Sequence, residues 1–270
     1  MSAVGGPQDG RQVTLTPIGV FHADAVFTYD VPRQGALAGA NTGRVELFPG
    51  HNFEQALADL EGFSHIWLLF WFDRNGRWRP KIQPPRHLKR KVGVFASRSP
   101  YRPNPIGMSA VRLLAVRGRD LLVAGHDLLD GTPILDVKPY LPYADAFPDA
   151  APGWTAQGAD RAYRVELSAR AESQVAWLES HGVRCLRPFI LDQLSDEPTE
   201  ARHHRLVRRP DGGLALAYRT WRAVFRADDA ARLVTVSELV SGYSAADLAD
   251  PDDRYGDKDL HREFLDVWRL

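Results

Sequence analysis

The stretch SAVRLLAVRGRDLLVAGHDLLDGTPILDVKPY, residues 109–140, contains three apolar segments in close succession. The Asp130-Gly131 pair is a turn signal between the second and the third segment. No helix-length segment separates them, so the alternation of strand and helix that builds a parallel sheet is missing. The stretch therefore predicts three neighbouring strands and a mainly-β architecture.

Other segments of the first half give the same indication. Residues 13–21 (VTLTPIGVF) and 43–48 (GRVELF) alternate apolar and polar side chains, as half-buried strands do. Residues 64–73 (SHIWLLFWFD) have the length and apolarity of a central strand. We predict a helix over residues 53–64, where apolar residues have helical spacing and Gly62 ends the pattern. Many strands and few helices favour a β-barrel with small helical additions.

The second half predicts a smaller α+β domain. Residues 173–183 and 186–196 have helical character, and residues 213–243 have the pattern of a strand pair. A segment rich in Pro, Gly and Ala, residues 148–160, marks the boundary between the halves. We therefore expect four parts: a disordered leader (1–12), a β-barrel domain (13–150), a small C-terminal α+β domain (161–243) and a charged C-terminal tail (244–270).

The composition restricts the cellular and chemical class of the protein. Cys185 is the only cysteine of the 270 residues, which excludes an intrachain disulfide and a cysteine-based zinc site. A chain without disulfides fits a reducing compartment, and we expect the cytoplasm. No apolar run approaches the roughly 18 residues that span a bilayer. We therefore expect no membrane anchor. The two adjacent histidines and the acidic C-terminal segment lack metal-ligand spacing, so we expect no metal site either.

Charge is balanced over the whole chain but not along it. Thirty-four Lys and Arg equal thirty-four Asp and Glu, yet ten Lys or Arg and no acid lie between Arg74 and Arg102. A cationic segment that contains an aromatic side chain can bind a phosphate backbone and stack a base. The alternative, a flexible solvated loop, stays open on the residues alone. The candidate nucleic-acid-binding residues are Arg77, Trp78, Arg79, Lys81, Arg86, Lys89, Arg90 and Lys91.

Two polar clusters are candidates for a ligand site. Residues 97–107 (SRSPYRPNPIG) hold Arg98 and Arg102 among prolines, whose fixed φ stiffens the loop. Preorganised arginines suit an anionic or nucleobase-bearing ligand, whereas a barrel corner would pair them with carboxylates. Residues 128–145 (LLDGTPILDVKPYLPYAD) form the second cluster, and they place Asp136 on the strand after a turn. A hairpin with a charged, solvated face is the alternative there.

Taken together, these motifs resemble the TsaA-like, or TrmO, family of S-adenosylmethionine-dependent tRNA methyltransferases. The resemblance covers roughly residues 15–146 and implies a small single-sheet β-barrel. It agrees with the absence from the sequence of the G-x-G-x-x-G motif of nucleotide-binding α/β folds. It also implies a homodimer with the cofactor near the subunit interface. The motifs that carry it are VPRQ (31–34), GFSHIWLLFWF (62–72), WRPKIQPPR (78–86), VGVFASRSPYRPNPIGMS (92–109) and DLLDGTPILDVKPYLPYAD (127–145).

The resemblance implies S-adenosylmethionine as cofactor and tRNA, held by the cationic segment, as partner. Arg98 would pair with the methionine carboxylate, and the backbone of the glycine-bearing turns would approach the adenosine. By match to the family's motifs, the implied cofactor-binding residues are Pro32, Arg33, Gln34, Gly35, Asp73, Arg74, Arg98, Met108, Asp130, Gly131, Thr132 and Pro133.

The implied reaction is methyl transfer to N6 of threonylcarbamoyladenosine, next to the anticodon of threonine tRNA. Such a reaction needs nitrogen, methyl carbon and sulfur in line, and a proton must leave the nitrogen. The motifs identify no catalytic base, and Asp73 and Asp136 are candidates. Residues 196–205 (DEPTEARHHR) depart from the D-P-R-P-A-Y-like segment of longer family members, which leaves the tRNA identity open. The alternative functions are a non-catalytic tRNA-binding module and a barrel methyltransferase that acts on a small molecule.

Overall fold

The computed structural model describes residues 13–23, 41–84, 90–156, 163–195, 198–199, 205–209 and 213–268. Several sequence predictions fall on other residues and lie outside the described part of the chain. They concern the leader (1–12) and the site residues Pro32, Arg33, Gln34, Gly35, Arg86 and Lys89.

Within the described residues, six strands of the first half close into an antiparallel barrel, as the sequence predicts. Their order around the barrel is β1-β2-β7-β6-β3-β8, and β8 returns to β1 through the pairing of Ile134 with Gly19. β4 and β5 form a separate two-stranded ribbon. The elements are β1 (Gly19–His22), β2 (Thr42–Leu47), α1 (Phe53–Ala56), β3 (His65–Trp71), β4 (Lys81–Ile82), β5 (Val92–Gly93), β6 (Ile106–Arg117), β7 (Asp120–Ala124), β8 (Pro133–Pro139) and α2 (Pro142–Asp145).

The core of the barrel follows from the alternation of side chains along each strand. In β3, Ile66, Leu68 and Phe70 point inward and are buried, whereas Trp71 is exposed. The last residue of β3 pairs with Ile106, the first residue of β6. The C-terminal end of β3 and the N-terminal end of β6 therefore meet at one end of the barrel.

The helix predicted over residues 53–64 is shorter than expected. α1 covers one turn, and a separate 3-10 turn spans Leu60–Gly62. Asp59 lies between them with a φ of 64°, in the left-handed region. A residue in that conformation cannot continue an α-helix, so the apolar spacing continues but the helix does not.

The second half forms a five-stranded sheet within the described residues, in the order β10-β11-β12-β13-β9. β9 runs parallel to β13, and the other neighbours are antiparallel. α3 and α4 lie where the sequence predicts helices. The elements are β9 (Arg164–Leu167), α3 (Ala169–Ser180), α4 (Leu186–Leu194), β10 (Leu206–Arg208), β11 (Leu214–Tyr218), β12 (Trp221–Asp228), β13 (Leu233–Ser241), α5 (Ala245–Ala249) and α6 (Lys258–Val267).

The segment that we predict as a charged tail contains α5 and α6, which the sequence analysis did not anticipate. α6 buries His261 and Phe264 against Trp221 of β12, with ring centroids 3.7 and 5.0 Å from the indole. Its acidic residues stay at the surface, as in an amphipathic helix. The domain boundaries themselves stay predictions.

No helix in the described part of the chain is both long and apolar enough to cross a membrane.

Candidate active site

A cavity of about 530 Å³ opens at the barrel end where β3 finishes and β6 begins. Its volume falls in the range of small-molecule sites, roughly 300–1,000 Å³. Three chain segments supply the walls: the end of β3 with the turn after it, the 97–102 loop with the start of β6, and the segment between β7 and β8. The lining residues are Phe70, Trp71, Phe72, Asp73, Arg74, Asn75, Ser97, Arg98, Pro100, Tyr101, Arg102, Ile106, Gly107, Met108, Ser109, Asp127, Leu128, Leu129 and Thr132.

Gly107 shapes the inner wall of this cavity. It points inward on β6, directly opposite Phe70 of β3. A Cβ atom at this position would lie 2.3 Å from the Phe70 ring, closer than carbon atoms approach. Because Gly107 has no side chain, the Phe70 ring lies directly against its backbone. A larger residue at this position would displace the ring and change the cavity wall.

The 97–102 loop is held by hydrogen bonds to its own backbone and to a neighbouring turn. Arg102 donates from Nη1 to the carbonyls of Ser97 (2.7 Å) and Val94 (3.2 Å). Asn75 donates from Nδ2 to the carbonyl of Pro100 at 2.5 Å. The loop is therefore rigid, and the alternative of a barrel corner with arginine–carboxylate pairs fails for Arg102, which binds carbonyls.

Two side chains of opposite charge at the cavity have no partner among the described residues. The guanidinium of Arg98 and the carboxylate of Asp73 both line the cavity and both are exposed. Neither forms a hydrogen bond or an ion pair with any other described residue. A cation and an anion held open at one cavity suit a ligand that carries both charges, such as the amino-acid end of a zwitterion.

The turn that joins β7 to β8 is fastened to β1 and to Arg74. Arg74 donates from Nη2 to the Asp130 carbonyl at 2.5 Å, and Ala23 donates from its backbone N to Asp130 Oδ1 at 3.1 Å. Gly131 has a φ of 78° and donates from its backbone N to the Phe21 carbonyl at 2.8 Å. Glycine fits this left-handed conformation without a steric penalty. The Asp130 carboxylate thus holds the turn in position.

The predicted site residues divide into those in the cavity wall and those behind it. Asp73, Arg74, Arg98, Met108 and Thr132 line the cavity. The predicted residues Asp130, Gly131 and Pro133 belong to the turn that carries Thr132, but they do not line the cavity themselves.

Asp127 and Ser109 are lining residues that the sequence analysis missed. Ser109 is 5% exposed on the inner face of β6, and its Oγ donates to Asp127 Oδ1 at 2.5 Å. The residue before Asp127 is buried His126, whose backbone N and O are both bonded to the side chain of Asn41, at 3.2 and 2.9 Å. The Asp127 carboxylate is therefore held by a hydroxyl on one side and by a fixed backbone on the other.

Asp136, one of the two candidate bases, lies outside the cavity lining. On β8 it pairs with Leu69 of β3, and its Oδ2 forms an ion pair with Lys138 Nζ at 3.0 Å. Asp73 and Asp127 are the acids of the described lining. Asp127 opens the motif at residues 127–145, but its sequence does not reveal the contact with Ser109, which lies 18 positions earlier on β6.

The described part of the cationic segment is tied to the cavity loop. Arg79 donates from its backbone N to the Tyr101 carbonyl at 3.0 Å, and its guanidinium lies 4.7 Å from the centroid of the Tyr101 ring. Val94 donates to the Pro80 carbonyl at 3.1 Å, which extends the pairing of β4 with β5. These contacts argue against the alternative of a free loop. Arg77, Trp78, Arg79, Lys81, Arg90 and Lys91 are all exposed.

The residues present fit S-adenosylmethionine, which has a zwitterionic end and a nucleoside end. Arg98 and Asp73 offer opposite charges, while Phe70 and Leu128 offer apolar wall to the rest of the ligand. Among the described residues, no group of three or more His, Cys, Asp or Glu is placed to hold a metal ion.

Comparisons with known proteins agree with this geometry. The family model described as the tRNA-methyltransferase O N-terminal domain matches residues 20–146. The tRNA (adenine(37)-N6)-methyltransferase of Escherichia coli K12 is 39% identical over 191 residues, which cover 68% of this chain and 81% of the relative. A protein of Archaeoglobus fulgidus, named as a probable S-adenosyl-L-methionine-binding protein, is 39% identical over 178 residues, 66% of this chain and 45% of that protein.

A solved structure of TrmO from Pseudomonas aeruginosa has the same fold. It superimposes with a TM-score of 0.61 and 32% sequence identity, and the match covers 87% of this chain and 100% of that chain. Sequence and structure therefore point to the same group of proteins.

Proposed function

This chain belongs to the tRNA-methyltransferase O family of S-adenosylmethionine-dependent methyltransferases, and on this premise we propose that it methylates N6 of adenosine 37 in tRNA. More narrowly, we propose that the acceptor is threonylcarbamoyladenosine in threonine tRNA. The observation that carries the proposal is a cavity with open opposite charges, Arg98 and Asp73, beside a segment without acids.

Arg98 and Asp73 of this cavity would hold the amino-acid end of the cofactor. Arg98 pairs with the carboxylate of the methionine moiety, and Asp73 pairs with its ammonium group. The fixed turn at residues 130–133, together with Arg74 and Met108, would hold the nucleoside. Pro32, Arg33, Gln34 and Gly35 are proposed as further cofactor-binding residues. When bound, the cofactor supplies an electrophilic methyl group on a sulfonium.

Asp127 takes the proton that leaves the acceptor nitrogen. Methyl transfer forms a bond from N6 to the methyl carbon, breaks the bond from that carbon to sulfur, and releases the N6 proton. Ser109 occupies Oδ1 of Asp127, and Oδ2 accepts the proton. The hydrogen bond from Ser109 and the fixed backbone at Asp127 hold the carboxylate in position. A general base must be held in this way within reach of the proton that it accepts. We propose Asp127 for this role in place of the candidates Asp73 and Asp136, because Asp73 serves the ammonium group of the cofactor and Asp136 is paired with Lys138 outside the lining.

The cationic segment holds the tRNA by its phosphates. Charges of one sign, with no acid among them, are attracted to a polyanion, and their contribution falls as salt concentration rises. Trp78 is 46% exposed among these cations and is available for stacking on a base. The binding residues are Arg77, Trp78, Arg79, Lys81, Arg86, Lys89, Arg90 and Lys91.

The protein acts as a cytoplasmic homodimer. Trp71, Ile106 and Met108 are exposed next to one another on β3 and β6, and they also line the cavity. A second subunit that covers this apolar strip would lie beside the cofactor site. The barrel (13–150) carries the cofactor site, and α6, within residues 244–270, packs on the C-terminal domain (161–243). The single cysteine fits the cytoplasm.

The test is transfer of label from methyl-labelled S-adenosylmethionine to two forms of threonine tRNA. One form carries threonylcarbamoyladenosine and the other carries unmodified adenosine at position 37; both are digested and their nucleosides are analysed by mass spectrometry. We expect label on threonylcarbamoyladenosine alone. Label on both forms contradicts the requirement for the threonylcarbamoyl group, and label on neither contradicts tRNA methylation.

A further inference from the structure

Phe95 is a large apolar side chain that the structure leaves in solvent. It lies in a 3-10 turn, Val94–Ala96, directly after β5, and it is 75% exposed. Neither the cofactor cavity nor the barrel core includes it. The family motif contains this residue, but none of the roles derived above uses it.

The exposure of Phe95 does not come from a loose turn. Val94 is buried and bonded to the Pro80 carbonyl on one side, and the Ala96 carbonyl accepts a hydrogen bond from Trp154 Nε1 at 2.7 Å on the other. Ser97 donates from its backbone N to the Val94 carbonyl at 3.1 Å. The residues on both sides of Phe95 are fixed, so the turn holds the ring out toward solvent in one place.

An arginine of the cavity wall lies against this ring. The guanidinium of Arg102 is 5.7 Å from the centroid of Phe95, within the distance of a cation–π contact. The same guanidinium is fixed by its bonds to Ser97 and Val94 and lines the cavity. Phe95 therefore stands at the rim of the cavity, where a nucleotide next to the acceptor would pass.

The surroundings of the ring identify the chemistry of its occupant. Between Arg74 and Arg102 the chain has ten cations and no acid. A second arginine–aromatic pair, Arg79 with Tyr101, stands on the same rim. A partner that brings flat unsaturated rings together with negative charge satisfies both features, and single-stranded RNA is such a partner.

We propose that Phe95 is a stacking platform for an unpaired base that neighbours the acceptor nucleotide in the substrate RNA. The proposal rests on the proposed function, because it takes RNA as the substrate. It adds a specific contact: one base lies on the open face of Phe95, and Arg102 supports the ring from the cavity side. The phosphates of the same RNA are bound by the cationic segment.

The test compares Phe95→Ala, Phe95→Leu and Phe95→Trp in the full-length protein. The probe is an anticodon stem-loop RNA with a fluorescent label, and its affinity is measured by anisotropy at several salt concentrations. Loss of one stacked base weakens binding by about 5- to 150-fold. We expect this loss in both the Ala and the Leu variants, with retention in the Trp variant. The salt dependence should stay that of the unchanged protein, because no phosphate contact is removed.

A matched control is Phe147→Ala. Phe147 is 73% exposed, nearly as much as Phe95, but it follows α2 and is not part of the cavity. RNA affinity should be unchanged in this variant. In all four variants, calorimetry should give the cofactor affinity of the unchanged protein.

Three results would overturn the stacking role. In the first, the Leu variant binds RNA as well as the unchanged protein, so that only an apolar surface is needed. In the second, the Ala variant changes oligomeric state in sedimentation, so that a second copy of the chain covers the ring. In the third, the Ala variant binds RNA normally while methylation proceeds. The proposed function fails separately, if the unchanged protein labels no tRNA.

Discussion

Two polar side chains at the rim of the barrel are exposed and without a partner among the described residues, whereas the buried histidine of α6 is hydrogen-bonded within the chain. At the rim, Arg98 and Asp73 are exposed and have no partner among the described residues. Under α6, buried His261 is bonded through Nδ1 to Ser241 Oγ (2.8 Å) and through Nε2 to Thr220 Oγ1 (3.0 Å). A polar group that is satisfied within the chain stabilises the fold, whereas one left open at a cavity is available to a ligand. The two regions should therefore respond to substitution in different measurements.

The largest effect is expected at the rim, from Asp127→Asn. The amide keeps the shape and can still contact Ser109, but it cannot accept the N6 proton, so kcat should fall by about 10²- to 10⁴-fold. Cofactor affinity, measured by calorimetry, should change little. Asp136→Asn is the matched control, since Asp136 lies outside the lining, and its kcat should stay within about two-fold of the original. Loss of cofactor binding in Asp127→Asn would instead assign this residue to the cofactor.

The converse experiment removes the buried histidine. His261→Ala loses the stack on Trp221 and two hydrogen bonds, and we expect a decrease of about 2–4 kcal/mol in the free energy of unfolding. Denaturant unfolding measures it. Tyr255→Ala, at an exposed position of the same segment, should change stability by less than about 0.5 kcal/mol. Equal stabilities of the two variants would contradict the packing of α6.

Substitution of Arg98 should affect binding without affecting stability. Arg98→Ala removes a charge-assisted contact to the cofactor carboxylate, worth about 1.5–3 kcal/mol, so cofactor affinity should fall by about 10- to 150-fold. The temperature of unfolding should be unchanged, because Arg98 has no partner in the described chain. Arg117→Ala, an exposed arginine at the other end of β6, serves as control. A lower unfolding temperature for Arg98→Ala would show that Arg98 is a structural residue.

A further expected effect is a dependence of stability on pH. Burial lowers the pKa of His261 to about 4, although the nearby Asp257 carboxylate opposes this shift. The ordinary value of 6.5 applies in the unfolded chain, so between pH 6.5 and 4 the unfolded state binds a proton that the folded state does not. Stability is full above pH 6.5 and falls as the pH decreases through this window. His261→Phe keeps an aromatic ring on Trp221 but has no group that titrates. In thermal unfolding experiments, the unfolding temperature of this variant should change less between pH 6.5 and 4 than that of the unchanged protein.

The barrel was predictable because its signals are local. The apolar run at residues 64–73 and the turn at Asp130-Gly131 each depend on neighbours in sequence. α6 was missed because residues 244–270 contain eight Asp or Glu and the whole segment was interpreted as a charged tail. The packing of Phe264 against Trp221 shows which face of α6 is buried. The helix over residues 53–64 was overextended because the spacing of apolar residues does not reveal the left-handed conformation of Asp59.

The motifs predicted several residues of the site, but they did not predict the contacts between segments that are distant in sequence. Arg98 and Thr132 lie in the quoted motifs and line the cavity, and Asp73, which directly follows the motif at residues 62–72, lines it too. Asp127 acquires its importance from Ser109 on another strand and from Asn41, 85 positions from His126. Contacts of this kind arise only when the barrel closes. The predictions for residues 32–35 lie outside the described chain.

The rigid 97–102 loop has a consequence for inhibitors. Because Arg102 and Asn75 already fix this loop, a ligand that enters the cavity orders few additional residues, and little conformational entropy is lost on that side. Differences in affinity within a series of cofactor analogues should then reflect individual contacts with Arg98 and Asp73. Analogues that keep both charges of the amino-acid end and replace the sulfonium by a neutral thioether would measure how much the protein recognises the charge at sulfur.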